Sequence, residues 1–184
     1  IKNEIITNDT ASNYLNELSN SCYLYAALVN PEDEFWKDSD EYNDIKKDLL
    51  FLRMFGISQP ISLLFASYLT FKKDFHTILK WVKILSLRYN IICREHTGEQ
   101  ENLYSDICVL ISKGCGIDDI KEKLLVLYPD DKKFKLNFSD KTFPTKQSNK
   151  KARYLLARLE EFESDTSIDE TMLTIEHILP ENPD

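Results

Sequence analysis

Apolar residues recur at intervals of three and four in seven separate stretches of this chain. That interval is the pitch of an α-helix, not the two-residue alternation of a half-buried strand. The composition agrees. With 4 Gly and 6 Pro in 184 residues, the chain lacks the tight turns that an all-β protein needs. At 42% hydrophobic residues it is too apolar for a disordered segment, and its length is enough to bury a substantial core. No run of about 18 uncharged apolar residues exists, so a membrane span is not expected. The expected fold is all-α, an irregular bundle of about seven helices with a short β segment near the C-terminus.

The first stretch covers residues 10–30, with Tyr14, Leu15, Leu18, Cys22, Tyr25 and Val29 in period. Asp9 or Thr10 can cap it, and Pro31 ends it because the residue before a proline is pushed out of the α region. The acidic loop Glu32-Asp33-Glu34 leads to a second helix, about Asp40–Phe55, with Gly56 fitted to the left-handed position after its last turn. Pro60 opens a third, Ile61–Phe71, apolar nearly all round. The fourth, about Asp74–Arg94, turns Phe75, Ile78, Val82, Leu85, Tyr89 and Ile92 inward. Thr97-Gly98 breaks the pattern. A fifth helix follows at about Glu101–Lys113, and a short sixth at Asp118–Leu127 is capped by Asp118.

Residues 129–147 lack a clean period and read as irregular, although Phe134, Leu136, Phe138 and Phe143 lie there. The seventh helix, from a Ser148 cap to about Glu163, presents Ala152, Leu155, Leu156, Leu159 and Phe162 as its core face. The polar stretch Ser164–Thr171 reads as a linker. Beyond it, Met172-Leu173-Thr174-Ile175 looks like a strand running into a turn. The expected organisation is a helical domain over residues 1–163, a linker over 164–171, and a second domain starting at 172. The chain opens on Ile1 and stops soon after Pro180, which gives the expectation of a piece of something longer.

The net charge of −8 conceals alternation along the chain. Residues 51–90 hold six Lys/Arg against one acid, and residues 131–160 hold nine against three. A local basic face can meet a phosphate backbone within an acidic protein, since screening confines the attraction to about 8 Å. The first cluster comprises Lys72, Lys73, Lys80, Lys83, Arg88 and Arg94; the second includes Lys150, Lys151, Arg153 and Arg158. Lys80, Lys83, Arg88, Lys150, Lys151, Arg153 and Arg158 are the candidate contacts to a DNA backbone. The plainer reading of such runs is a solvated helix face.

Cys22, Cys93, Cys108 and Cys115 form no CxxC pair and have no His at zinc-finger spacing. Cys22, Cys93 and Cys108 sit among apolar residues and read as small buried hydrophobes of a reducing cytoplasm. His76 and His96 have no legible partner spacing and read as structural.

Only Glu176-His177-Ile178-Leu179-Pro180 suggests a reaction. Phosphodiester hydrolysis needs a base for water and a divalent ion to take the charge that grows on the phosphate. A histidine supplies the base at neutral pH, and a neighbouring carboxylate supplies a hard oxygen ligand for Mg²⁺. A Glu-His pair taken alone is more often incidental.

Leu173-Thr174-Ile175-Glu176-His177-Ile178-Leu179-Pro180 resembles the opening motif of an HNH (His-Me finger) nuclease domain, in particular that of GmrSD-like restriction endonucleases. Arg153–Glu160 resembles the helix preceding that motif, and Leu87–Arg94 resembles a segment of the helical region upstream. The resemblance implies a modular enzyme with an N-terminal ParB/sulfiredoxin-like NTP-hydrolysing domain, a helical middle and a C-terminal HNH nuclease. Such enzymes cut foreign or modified DNA in antiphage defence. By the same resemblance His177 matches the general base and Glu176 the acidic metal-ligand position, with Mg²⁺ or another divalent metal as cofactor in the full-length protein. The remainder of the HNH domain and the NTP-hydrolysing domain are then the missing partners. The resemblance also implies that residues 172–184 open a truncated nuclease domain, so neither a bound metal nor cleavage is expected of this chain by itself. The alternative from another class is a non-catalytic helical protein-interaction module in which Glu176-His177 is incidental.

Overall fold

In the computed structural model of the chain, residues 8–143, 145–164, 168 and 174–175 are described, with side chains left aside at 8–9 and 145–149. These residues form helices, and no strand occurs among them. The all-α expectation is met. Of the expected β segment only Thr174 and Ile175 are described, neither in regular secondary structure; the rest lies outside the described residues. Eight α-helices are described rather than about seven. The chain divides into two compact units, Ile1–Phe138 and Ser139–Asp184.

The first unit is built around α4 (Phe75–Ser86), which packs against α2 (Tyr42–Phe55), α3 (Ile61–Thr70) and α6 (Ile117–Leu125). Phe75, Ile78, Leu79, Val82 and Leu85 are at most 1% exposed. The two inward residues further on, Tyr89 and Ile92, are buried as well. The helical period survives there although the backbone changes: residues Leu87–Ile92 form a π-helix, closed by a bond from the Cys93 N–H to the Arg88 carbonyl at 2.9 Å. Arg94 then takes a left-handed conformation, φ +55°. The expected single helix to Arg94 is therefore two geometries in succession.

Helix ends follow local chemistry. Gly56 closes α2 at φ +71°, its N–H directed at the carbonyls of Leu52 and Arg53. α5 (Thr97–Ser112) starts at the Thr97-Gly98 pair that reads as a breaker, because the His96 ring nitrogen Nδ1 accepts from the Gly98 N–H at 3.1 Å. At α6 the cap is the Asp119 carboxylate reaching back to the Gly116 N–H at 2.7 Å, not Asp118.

Two readings are corrected. Residues 129–147 are not irregular throughout, since Asp131–Ser139 form α7. Asp130 caps it through the Lys133 N–H at 2.7 Å, and Phe134 and Phe138 stack one turn apart. In α1 (Asn8–Val29) the buried residues are Leu24, Ala27 and Leu28, whereas Leu15, Leu18, Tyr25 and Val29 are exposed, as is Cys22. Trp36, in a 3₁₀ turn after the acidic loop, is 1% exposed and stacks parallel to Phe75 at 5.5 Å. Its Nε1–H donates to the Ala27 carbonyl at 2.9 Å, pinning the last turns of α1 to the bundle.

The second unit contains α8 (Thr145–Ser164), which begins before Ser148. Among its described side chains Tyr154 and Ala157 are buried, while Leu156, Leu159 and Phe162 of the expected core face are exposed. The expected linker, 164–171, lies almost wholly outside the described residues.

Candidate functional site

Glu176 and His177 lie outside the described residues, so the structure assigns them no geometry. Just before them Thr174 is exposed and Ile175 half-buried. Among the described residues no group of three or more His, Cys, Asp or Glu is arranged to hold a metal ion. In donor chemistry Glu176 and His177 offer one hard oxygen and one imidazole nitrogen. That suits a divalent-ion and base pair, with water and phosphate oxygens left to complete an octahedral Mg²⁺ shell.

The basic candidates separate by what their charged ends touch. Lys80, on the outer face of α4, is exposed. Lys83, one turn on, is drawn inward to an ion pair with Asp48 of α2, a carboxylate 4% exposed. The second oxygen of Asp48 meets His76 Nε2 at 3.2 Å, and His76 Nδ1 faces Glu41 at 3.3 Å. Removing a cation from such a buried carboxylate leaves an uncompensated charge, which costs more than the pair contributes. His76 is thus structural, as its sequence setting implied.

Arg88 is held more tightly still. Its Nη2 and Nε donate to the Pro129 carbonyl at 2.9 and 3.2 Å, and Nη2 meets the Asp131 carboxylate at 2.6 Å. The guanidinium lies between the rings of Tyr128 and Phe134, 4.5 and 4.4 Å from their centroids. A second link joins Lys133 to Glu95 at 2.6 Å, and the Glu95 carboxylate raises the Lys133 ammonium pKa above its ordinary value. Together these contacts fasten residues 128–134 to the π-helical segment.

In the second unit Lys150 is exposed. Lys151 and Arg153 are half-buried and engaged within the chain. Arg158 pairs with Glu161 at 2.6 Å, lies over the Tyr154 ring at 5.1 Å and donates to the Ile168 carbonyl at 3.3 Å. Lys132 and Lys135, three apart on α7, share an exposed face that only the missed helix reveals.

The thiols divide in the same way. Burial pushes the Cys93, Cys108 and Cys115 thiols up from the ordinary range, although only Cys93 is a buried residue and Cys108 and Cys115 are half-buried. Cys22 is exposed, against its reading as a buried hydrophobe. No described helix is long and apolar enough to cross a membrane.

Residues 128–184, just under a third of the chain, match the family model for the C-terminal domain of GmrSD restriction endonucleases. The match begins at the residues Arg88 holds and runs through Glu176-His177. Over that segment the chain is GmrSD-like, as the motif implied. No curated protein and no solved structure matches it.

Proposed function

We propose that this chain, GmrSD-like over residues 128–184, is the helical middle of a modular DNA restriction endonuclease joined to the opening of its nuclease domain. The observation that carries the reading is the family match, which takes in Glu176-His177-Ile178-Leu179-Pro180. In this reading residues 1–163 space a cutting domain and an NTP-hydrolysing domain of the longer protein, residues 164–171 link, and residues 172–184 begin the nuclease. The protein works in the cytoplasm against foreign or modified DNA.

His177 takes the proton from the attacking water, and Glu176 lends a carboxylate to a divalent ion. That ion, when bound, neutralises charge growing on the phosphate. Lys80 and Lys150 are the candidates with exposed ammonium groups, suited to phosphate contact. Lys83, Arg88 and Arg158 would have to leave carboxylate partners first.

The test uses the full-length protein with Mg²⁺ and plasmid DNA. His177→Ala should slow nicking by about a thousandfold, the scale of a lost general base, with unchanged helicity. Unchanged cleavage overturns the assignment of the base. Lys80→Glu and Lys150→Glu should each weaken DNA binding across sequences and reduce the salt slope by about one. A full-length protein that cuts no DNA would favour the non-catalytic interaction module, for which the exposed apolar stripe of α1 speaks.

A further inference from the structure

α7 differs from the helices before it in what holds it. Each of α1 to α6 buries at least two apolar side chains. In α7 seven of the nine residues are exposed, Phe134 and Asn137 are half-buried, and none is buried. None of the helix pairs that build the bundle includes it. A nine-residue helix also falls below the length of about 12–15 residues at which an isolated helix is even marginal in water. α7 therefore keeps its turns only while it is docked.

The docking is polar. Arg88 holds the Asp131 carboxylate at 2.6 Å and lies 4.4 Å from the centre of the Phe134 ring. Lys133 meets Glu95 at 2.6 Å. The Asp131 side chain is 80% exposed and that of Lys133 50%, so water and salt reach both ion pairs. Just before the helix the chain is fixed more firmly, for Pro129 is buried and its carbonyl accepts two bonds from Arg88. At the other end the division between the two compact units falls after Phe138, in the last turn of α7.

We propose that residues 130–139 are a releasable strap, folded as α7 when docked on the π-helical segment and melted into an extended tether, pivoting at Pro129, when released. The two states differ in reach. As a helix these residues span about 15 Å, and extended they span up to about 35 Å. Anions that compete for Arg88 and Lys133 favour the released state, because both clasps are ion pairs open to solvent on one side. Release lets out chain ahead of the second unit and leaves the packing of α4 intact. In the reading above the strap sets how far the nuclease end of the longer protein reaches from the bundle. That role rests on that reading; the two states of the strap do not.

Hydrogen exchange of this chain at neutral pH, read by peptide mass spectrometry in about 0.05 and 0.5 M NaCl, tests the strap. Amides of 132–138 should exchange about a hundredfold faster than those of α4. At the higher salt they should gain about a further fivefold, the scale of two screened pairs, with α4 unchanged. Glu95→Gln lies outside α7 and leaves its helix propensity alone. It should speed exchange at 132–138 about twofold at low salt, again without effect on α4. Exchange at 132–138 as slow as in α4 overturns the proposal, since the segment would then open only with the bundle. Fast exchange indifferent to both salt and Glu95→Gln also overturns it, as the fraying of a helix that has no clasp. Salt acceleration spread equally over α4 overturns it too, as loosening of the whole unit. None of these outcomes depends on whether the longer protein cuts DNA.

Discussion

α1 and α4 carry apolar residues at the same three-to-four spacing, and the two helices put them to opposite use. In α4 Phe75, Ile78, Val82 and Leu85 are at most 1% exposed, because α2, α3 and α6 close around them. In α1 the comparable residues are about half exposed, and the helix is held from its other side by Leu24, Ala27, Leu28 and the Trp36 indole. A period establishes that a helix has an apolar face. Which face is buried depends on where the neighbours sit and on what else the helix offers them. Leu24, Ala27 and Leu28 form a second, shorter stripe, and tertiary packing used that one.

The largest expected effect separates the two helices directly. Leu79→Ala, at a position fully buried in α4, should cost about 3 kcal/mol, the transfer and cavity terms together. Leu18→Ala, at a position 48% exposed, should cost less than about 0.5 kcal/mol, as surface substitutions do. Urea denaturation of both variants at the same low concentration gives the two numbers. Equal losses would erase the contrast and show Leu18 covered in the isolated chain.

The next effect, about 2 kcal/mol for a charge-assisted set of bonds, belongs to Arg88→Ala. Arg88 sits where the α4 stripe passes into the π-helix, and it does by polar contact what Leu85 does by packing. Its loss removes two bonds to the Pro129 carbonyl, the Asp131 ion pair and the ring contacts of Tyr128 and Phe134. Hydrogen exchange should accelerate across 131–138 and stay unchanged in α2 and α3. Acceleration spread over the whole first unit would mean that Arg88 supports the core as α4 does, not one attached helix.

These partners also mark how far the sequence could be read. The presence of helices α2 to α6, the Gly56 stop and the inward set of α4 follow from local spacing and were legible, whereas the start of α5, the cap of α6 and the π-helical end of α4 were not. The grip of Arg88 was not, since Pro129 and Asp131 stand 41 and 43 residues away. Nor was the ion pair of Lys83, whose partner Asp48 is 35 residues distant. α7 was missed although Phe134 and Phe138 hold helical spacing, because a nine-residue helix with no buried residue carries too weak a pattern. In α8 Leu156 and Leu159 are exposed, Leu155 is half-buried and Tyr154 is buried, a partial form of the inversion in α1. The candidate chemistry was legible for the opposite reason: Glu176 and His177 are adjacent, so the motif needs no tertiary knowledge to be seen. Its geometry depends on surroundings that adjacency does not supply.

The smallest effect tests whether the burial of α4 extends to its π-helical end. Tyr89 is 4% exposed, and its hydroxyl donates to the His96 carbonyl at 3.0 Å and to Glu99 at 3.2 Å. Burial, and then the Glu99 carboxylate, push its phenol up to about 12. An unfolded tyrosine loses its proton near 10. The folded chain therefore keeps a proton that the unfolded chain has released, so this stabilisation is whole below pH 10 and drains away between about 10 and 12. At neutral pH Tyr89→Phe should cost about 1 kcal/mol for the lost hydrogen bonding. As the pH rises through that window the gap between wild type and variant should close and then reverse, the other tyrosines and lysines being common to both. A gap that stays constant would mean a Tyr89 phenol open to water, and the contrast between the two helices would then stop at Ser86.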